Sequence, residues 1–112
     1  MTITNPKLQN YPFLKTMYRD SYYPDFLVDK CKQILIGLCE QIEAQRPTTD
    51  ADVYKLTHAA TRAINDVGEE FNKYDSEFET IARDCLATDF EFIVQSYGFE
   101  LDLEEVVAPR EW

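Results

Sequence analysis

Apolar residues recur every three or four positions along three long stretches of this chain. In the first, Leu27, Cys31, Ile34, Leu35, Leu38 and Ile42 follow the i, i+4, i+7, i+8 rule of a single helix face. Pro24 and Asp25 suit a first turn, so the spacing predicts a helix entered through Ser21-Tyr22-Tyr23-Pro24-Asp25 and running to about Ala44. Arg46-Pro47 ends it. In the second stretch, Val53, Leu56, Ala60, Ala63, Ile64, Val67, Phe71 and Tyr74 form the stripe, and Thr49 with Asp52 makes a short-armed capping box at its start. Ala60 and Ala63 would let a neighbouring helix come close. Gly68 is a weak point, costing about 1 kcal/mol against Ala in a helix interior.

The third stretch opens on Ser76-x-x-Glu79, a full capping box, with Phe78, Ile81, Ala82, Cys85 and Leu86 expected inward. Thr88-x-x-Glu91 is a second capping box, which allows a break into a fourth helix. The inward series nevertheless continues in step through Phe90, Ile93, Val94 and Tyr97, which favours a bent but continuous element ending at Gly98. Shorter pieces flank these three. Tyr11 to Tyr18 can form a short helix with Pro12 in its first turn, and Asp102-x-x-Glu105 caps a last turn before Pro109-Arg110-Glu111-Trp112. Residues 1–10 are polar and contain Pro6, so they read as a flexible, loosely held arm. Period-two alternation is confined to short stretches, of which Phe99 to Leu103 comes nearest to a strand, and no 20–50-residue repeat occurs. The pattern predicts an all-α fold: one domain over residues 1–112, an antiparallel bundle of three to four helices with short terminal helical turns.

Composition agrees. The 112 residues are 45% hydrophobic with seven Phe and seven Tyr, enough for one core, while three Gly leave few turns. The three cysteines, Cys31, Cys39 and Cys85, are odd in number and lack a Cys-x-x-Cys spacing, which fits a reducing cytoplasm. The N-terminus has no basic stretch leading into an apolar run, and the longest apolar run, around Ile34–Leu38, is far below the ~20 residues needed to span a membrane. The expectation is a cytoplasmic protein that does not engage a membrane.

Charge changes the picture more. Residues 1–56 hold seven acids and seven bases, whereas residues 57–112 hold fourteen acids and only Arg62, Lys73, Arg83 and Arg110, so the whole net charge of −10 lies in the second half. Such a surface repels phosphate and anionic lipid and attracts basic surfaces. Sequence-independent nucleic-acid binding, which needs Lys/Arg to release counterions, is excluded.

Catalytic chemistry finds little support. His58 is the single histidine, and Glu is absent from positions 50–68, so no Glu-x-x-His or His-Glu-x-x-His ligand set exists. Asp75, Glu77 and Glu79, and likewise Glu100, Asp102 and Glu104, alternate like a calcium loop but lack the Gly and the bidentate Glu that such a loop needs. No metal or other cofactor is expected. Cys31 and Cys39 fall on or beside the apolar stripe and read as core. A Cys85–His58 pair lacks an orienting third group. What remains is surface: Tyr22 and Tyr23 place two large amphipathic rings at a helix entrance, and tyrosine is enriched at interface hot spots. The competing reading has one of the pair plugging the bundle end. Trp112 reads more readily as a plug on the core.

The strings Tyr11-Pro-Phe-Leu-Lys15, Ser21-Tyr-Tyr-Pro24, Lys55-Leu-Thr-His-Ala-Ala-Thr61, Asp89-Phe-Glu-Phe-Ile93 and Pro109-Arg-Glu-Trp112 resemble a bacterial family of short acidic proteins of unknown function. That resemblance covers nearly the whole chain and implies no activity. Tyr22-Tyr23-Pro24 is also similar to the Tyr-Tyr-Pro hot spot of bacteriocin nuclease immunity proteins, which are small, acidic and helical. There the motif follows the second helix; here it precedes the first long one. The leading expectation is a non-enzymatic acidic protein-binding module, of which an immunity- or antitoxin-like inhibitor of a basic protein is the best-defined version. Asp66, Glu69, Glu70, Asp75 and Glu77 would supply long-range attraction, and Tyr22 and Tyr23 the desolvated anchor. The alternatives are a self-associating bundle of structural role, monomer or homodimer, and a small enzyme using a carboxylate or Cys85.

Overall fold

The computed structural model describes residues 3–112. It contains α1 (Lys15–Tyr18), α2 (Asp25–Gln45), α3 (Asp50–Asn72), α4 (Thr80–Ser96) and α5 (Leu103–Val106), with no strand among the described residues. The fold is the all-α bundle that the apolar spacing predicts, 41 × 27 × 20 Å in extent. Its central feature is the antiparallel hairpin of α2 and α3, the most extensive helix–helix contact in the molecule. Arg46 closes α2 in the left-handed region (φ 47°), and Pro47 prevents the helix from continuing. The Thr49 hydroxyl then accepts the Asp52 N–H at 3.2 Å and opens α3. The third long helix, α4, meets this hairpin through α2 and through the short elements α1 and α5, which lie against it.

α4 runs unbroken through Thr88, because the inward series Leu86, Phe90, Ile93 and Val94 stays in register and fully buried. Gly98 (φ 87°) stops the chain beyond it, and the Phe99 N–H closes back on the Val94 carbonyl at 3.0 Å. Other details depart from the sequence pattern. α4 begins at Thr80, and the predicted Ser76 cap serves the preceding helix instead. Ser76 donates its N–H to the Phe71 carbonyl at 3.1 Å, with Asp75 in the left-handed conformation (φ 57°), a Schellman-type stop for α3. α3 therefore ends at Asn72, and Tyr74, expected inward, is 55% exposed. Ile81, also expected inward, is 43% exposed, on the opposite side of α4 from its buried face. α1 is only one turn long, with Pro12 outside it.

Residues 1–10 were expected as a loose arm; Met1 and Thr2 lie outside the described residues, and the rest is docked. Leu8 is buried in the core. The Glu43 carboxylate accepts the N–H and hydroxyl of Thr4 (both 2.9 Å), the N–H of Asn5 (3.1 Å) and the hydroxyl of Tyr97. The Asn5 amide donates to the Ser96 carbonyl at 2.8 Å. A polar segment is thus tied across the ends of α2 and α4 by hydrogen bonds, a source of order that hydrophobic periodicity does not register.

Candidate protein-binding surface

The surface at which the start of α2 meets the end of α3 is built on aromatic rings. Tyr23 is 2% exposed, its ring edge-on to Phe71 with centroids 6.1 Å apart. Burial pushes its phenol pKa up, and the backbone N–H groups of Ala82 and Glu79, at the open N-terminus of α4, pull it partly back. Tyr23 therefore plugs the junction of α2, α3 and α4, and it offers no exposed anchor. Tyr22, edge-on to it at 5.1 Å, is 39% exposed. One turn into α2, Phe26 stands 49% exposed and meets Tyr74 edge-to-face, centroids 5.0 Å apart.

Phe26 and Tyr74 escaped the sequence reading for opposite reasons. Phe26 lies off the stripe that Leu27 and Cys31 define, and Tyr74 continues the α3 stripe by spacing although the helix has already stopped. A signal was present: a large ring beside Asp25 at a helix entrance, away from the apolar face.

The acids are distributed unevenly around these rings. Asp25 and Asp75 are exposed and adjacent in sequence to Phe26 and Tyr74. Glu70 is bound to Lys30 at 2.6 Å, which joins α3 to α2 and takes that carboxylate out of the free acidic set. Glu69 and Glu77 are exposed and share a cleft of about 200 Å³ with Asn65, Phe78 and Trp112. Asp66 is exposed on α3, outside both groups. Gly68 explains itself here. A Cβ at that position would lie 3.0 Å from the Phe78 ring, so the glycine lets Phe78 settle on α3 and pack against Phe71 at 4.9 Å. Trp112 closes this side under the Arg110 guanidinium, 5.4 Å from its ring centroid. Asn65 straps the C-terminal segment by donating to the Pro109 carbonyl and accepting the Glu111 N–H, each at 3.0 Å.

The Cys31 and Cys39 thiols are both pushed up to about 12 by burial. Cys85, half-buried, is also raised by burial, and it lines a cleft of about 390 Å³ with Tyr11, Lys15, Asp84 and Asp89. His58 points its Nε2 at the Glu105 carbonyl, 2.6 Å away, and stacks on Tyr54. Among the described residues no three His, Cys, Asp or Glu side chains converge to hold a metal ion. No helix among them is long and apolar enough to cross a membrane.

One carboxylate is buried where no apolar stripe announced it. Asp89, 4% exposed on α4, accepts the Tyr11 hydroxyl at 2.6 Å and the Leu14 N–H at 2.8 Å. Burial raises its pKa against the lowering effect of these two hydrogen bonds. Leu14 itself sits in the left-handed region (φ 57°), so Asp89 holds a strained turn just before α1.

The chain belongs to a family of unknown function (DUF5713). The family match spans residues 7–112, so every helix and both clefts described above fall inside it, and only residues 1–6 lie outside. No curated protein and no solved structure matches the chain.

Proposed function

We propose that this protein is a non-enzymatic acidic binding module whose partner presents a basic protein surface. The observation that carries the reading is the exposed edge-to-face pair Phe26–Tyr74 beside Tyr22, on a chain whose second half holds all of its net charge of −10. Large rings left in solvent at a helix junction gain little for the fold and offer much area to a partner at low entropy cost. Carboxylates at Asp25 and Asp75, next in sequence to these rings, and at Glu69 and Glu77, in the cleft with Trp112, favour a cationic approach and disfavour phosphate. An immunity- or antitoxin-like inhibitor of a basic protein remains the best-defined version, with Phe26 and Tyr74 joining Tyr22 in the anchoring role expected of Tyr22 and Tyr23. The non-enzymatic part of the reading is supported by the raised Cys85 thiol and by the engagement of His58 with a carbonyl.

The test is capture of a basic protein on the immobilised chain at low salt, followed by rate measurements with the purified partner. Phe26→Ala and Tyr74→Ala should each speed dissociation, by about tenfold or more. Reversing Glu69 and Glu77 to Lys should slow association and flatten its salt dependence. If no basic protein is retained, or if the retained one is indifferent to all four substitutions, the reading fails.

A further inference from the structure

We propose that a second copy of this chain docks on the outer face of the α2–α3 hairpin, crossing it at Gly37. Its lining shares no residue with the aromatic surface described above. A groove of about 380 Å³ runs between α2 and α3, lined by Ile34, Gly37, Leu38 and Gln41 on one side and Leu56 and Ala59 on the other. Its small residues and half-buried aliphatic side chains leave an apolar floor open to solvent.

Gly37 is the informative residue. It lies mid-way along the 21-residue α2, where glycine is about 1 kcal/mol less favourable than alanine. Its φ is not positive, and a Cβ built on it would meet nothing within 4 Å. Neither backbone conformation nor packing inside one chain calls for a glycine here. Gly68 is the contrast, since its missing Cβ is filled by Phe78. A helix arriving from outside would use the gap at Gly37, because a glycine at a crossing point lets two helix axes approach closely.

Charge selects the occupant. A basic partner is drawn to the carboxylates of the second half of the chain. A second copy carries the same net charge of −10 and can settle only where carboxylates do not face each other. Along the outer line of α2, at successive helical turns, stand the uncharged Gln33, Gly37, Gln41 and Gln45, and beside them Glu40, which a two-fold axis through Gly37 sets opposite Ile34 of the other copy and not opposite a carboxylate. Beside Leu56 the exposed Asp52 and Lys55 offset each other at 3.8 Å. A two-fold axis through Gly37 sets Gln33 of each copy against Gln41 of the other. An amide both donates and accepts, so this polar rim pairs with itself, as an isologous contact requires.

Sedimentation velocity on the full chain, from about 5 to about 500 µM, tests the proposal. The mass should rise with concentration from 13.1 kDa towards twice that value. Gly37→Arg should weaken association by about 100-fold or more. Its melting temperature at the lowest concentration should not fall, because nothing in the single chain occupies that space. In a Cys85→Ser background, which removes the half-buried thiol, Gly37→Cys should form an intermolecular disulfide on mild oxidation, while Cys85→Ser alone, whose remaining Cys31 and Cys39 are buried, should not. A chain that stays monomeric throughout overturns the proposal. So does a dimer that Gly37→Arg leaves intact, and if Phe26→Ala then dissociates it, the aromatic surface is the self-contact.

Discussion

At the scale of single residues, two side chains have roles that their neighbours in sequence conceal. Asp89 occupies a buried site where two hydrogen-bond donors hold it and, among the described residues, no ion pair does. Its folded-state pKa is raised, so the native protein holds this proton more tightly than the unfolded chain does. The resulting contribution to stability is complete below the unfolded carboxylate pKa of about 4 and is lost as pH rises through the folded value. Asp89→Asn should keep the fold, with its oxygen accepting the Leu14 N–H and its amide donating to Tyr11. It should also gain on wild type as urea unfolding is repeated from about pH 4 to about pH 7. Asp89→Ala should instead destabilise by about 2–3 kcal/mol, since it strands two donors in the interior. Tyr23 gives the second expectation. Tyr23→Ala should cost about 3–4 kcal/mol in urea unfolding, as truncation of a core aromatic does, whereas Tyr22→Ala should cost less than about 1 kcal/mol. Equal effects would mean that both rings face solvent or that both are core.

At the scale of elements, the two helical glycines separate propensity from packing. Gly37→Ala should raise the melting temperature at low protein concentration, by the equivalent of up to about 1 kcal/mol, because the helix gains a better former and no contact is disturbed. Gly68→Ala carries the same propensity gain but forces the Phe78 ring to move, so its melting temperature should fall below that of Gly37→Ala. Thermal unfolding of both variants under one condition decides this. The short elements matter for a related reason. α1 and α5 are single turns with no stability of their own, yet they lie against α4, and Asp89 and Glu43 fix the segments that lead to it and cross its end.

At the scale of the whole molecule, charge is the main unresolved stress. Among the described residues the ion pairs Lys30–Glu70, Lys55–Asp52 and Arg110–Glu104 lie at the surface, and they take in Glu70 and Glu104 of the fourteen acids in residues 57–112. Surface pairs of this kind contribute about 0–1 kcal/mol each, so they do little to offset repulsion in the compact state. Sodium chloride should therefore raise the melting temperature as the Debye length shrinks from about 10 Å at 0.1 M to about 3 Å at 1 M. A melting temperature that falls with salt would show that native ion pairing outweighs repulsion.

The sequence by itself determined the three long helices, the turn between α2 and α3, and the end of α4. Apolar side chains at helical spacing can be buried only on one face, and Pro47, Thr49 and Gly98 act through the backbone within a few residues of themselves. It also determined the charge asymmetry, which depends on composition alone. Only the tertiary structure decided which ring of the Tyr22–Tyr23 pair is buried, that Ser76 closes α3 rather than opening α4, and that Tyr74 and Ile81 leave the core while Asp89 enters it. The placing of Tyr23, Tyr74 and Asp89 depends on what a distant element brings to the same place: Phe71 beneath Tyr23, Phe26 against Tyr74, and the Tyr11 hydroxyl and Leu14 N–H above Asp89. Local periodicity reports how a segment divides its own faces. Burial of one particular side chain is settled by partners distant in the chain, and no pattern within the segment encodes them.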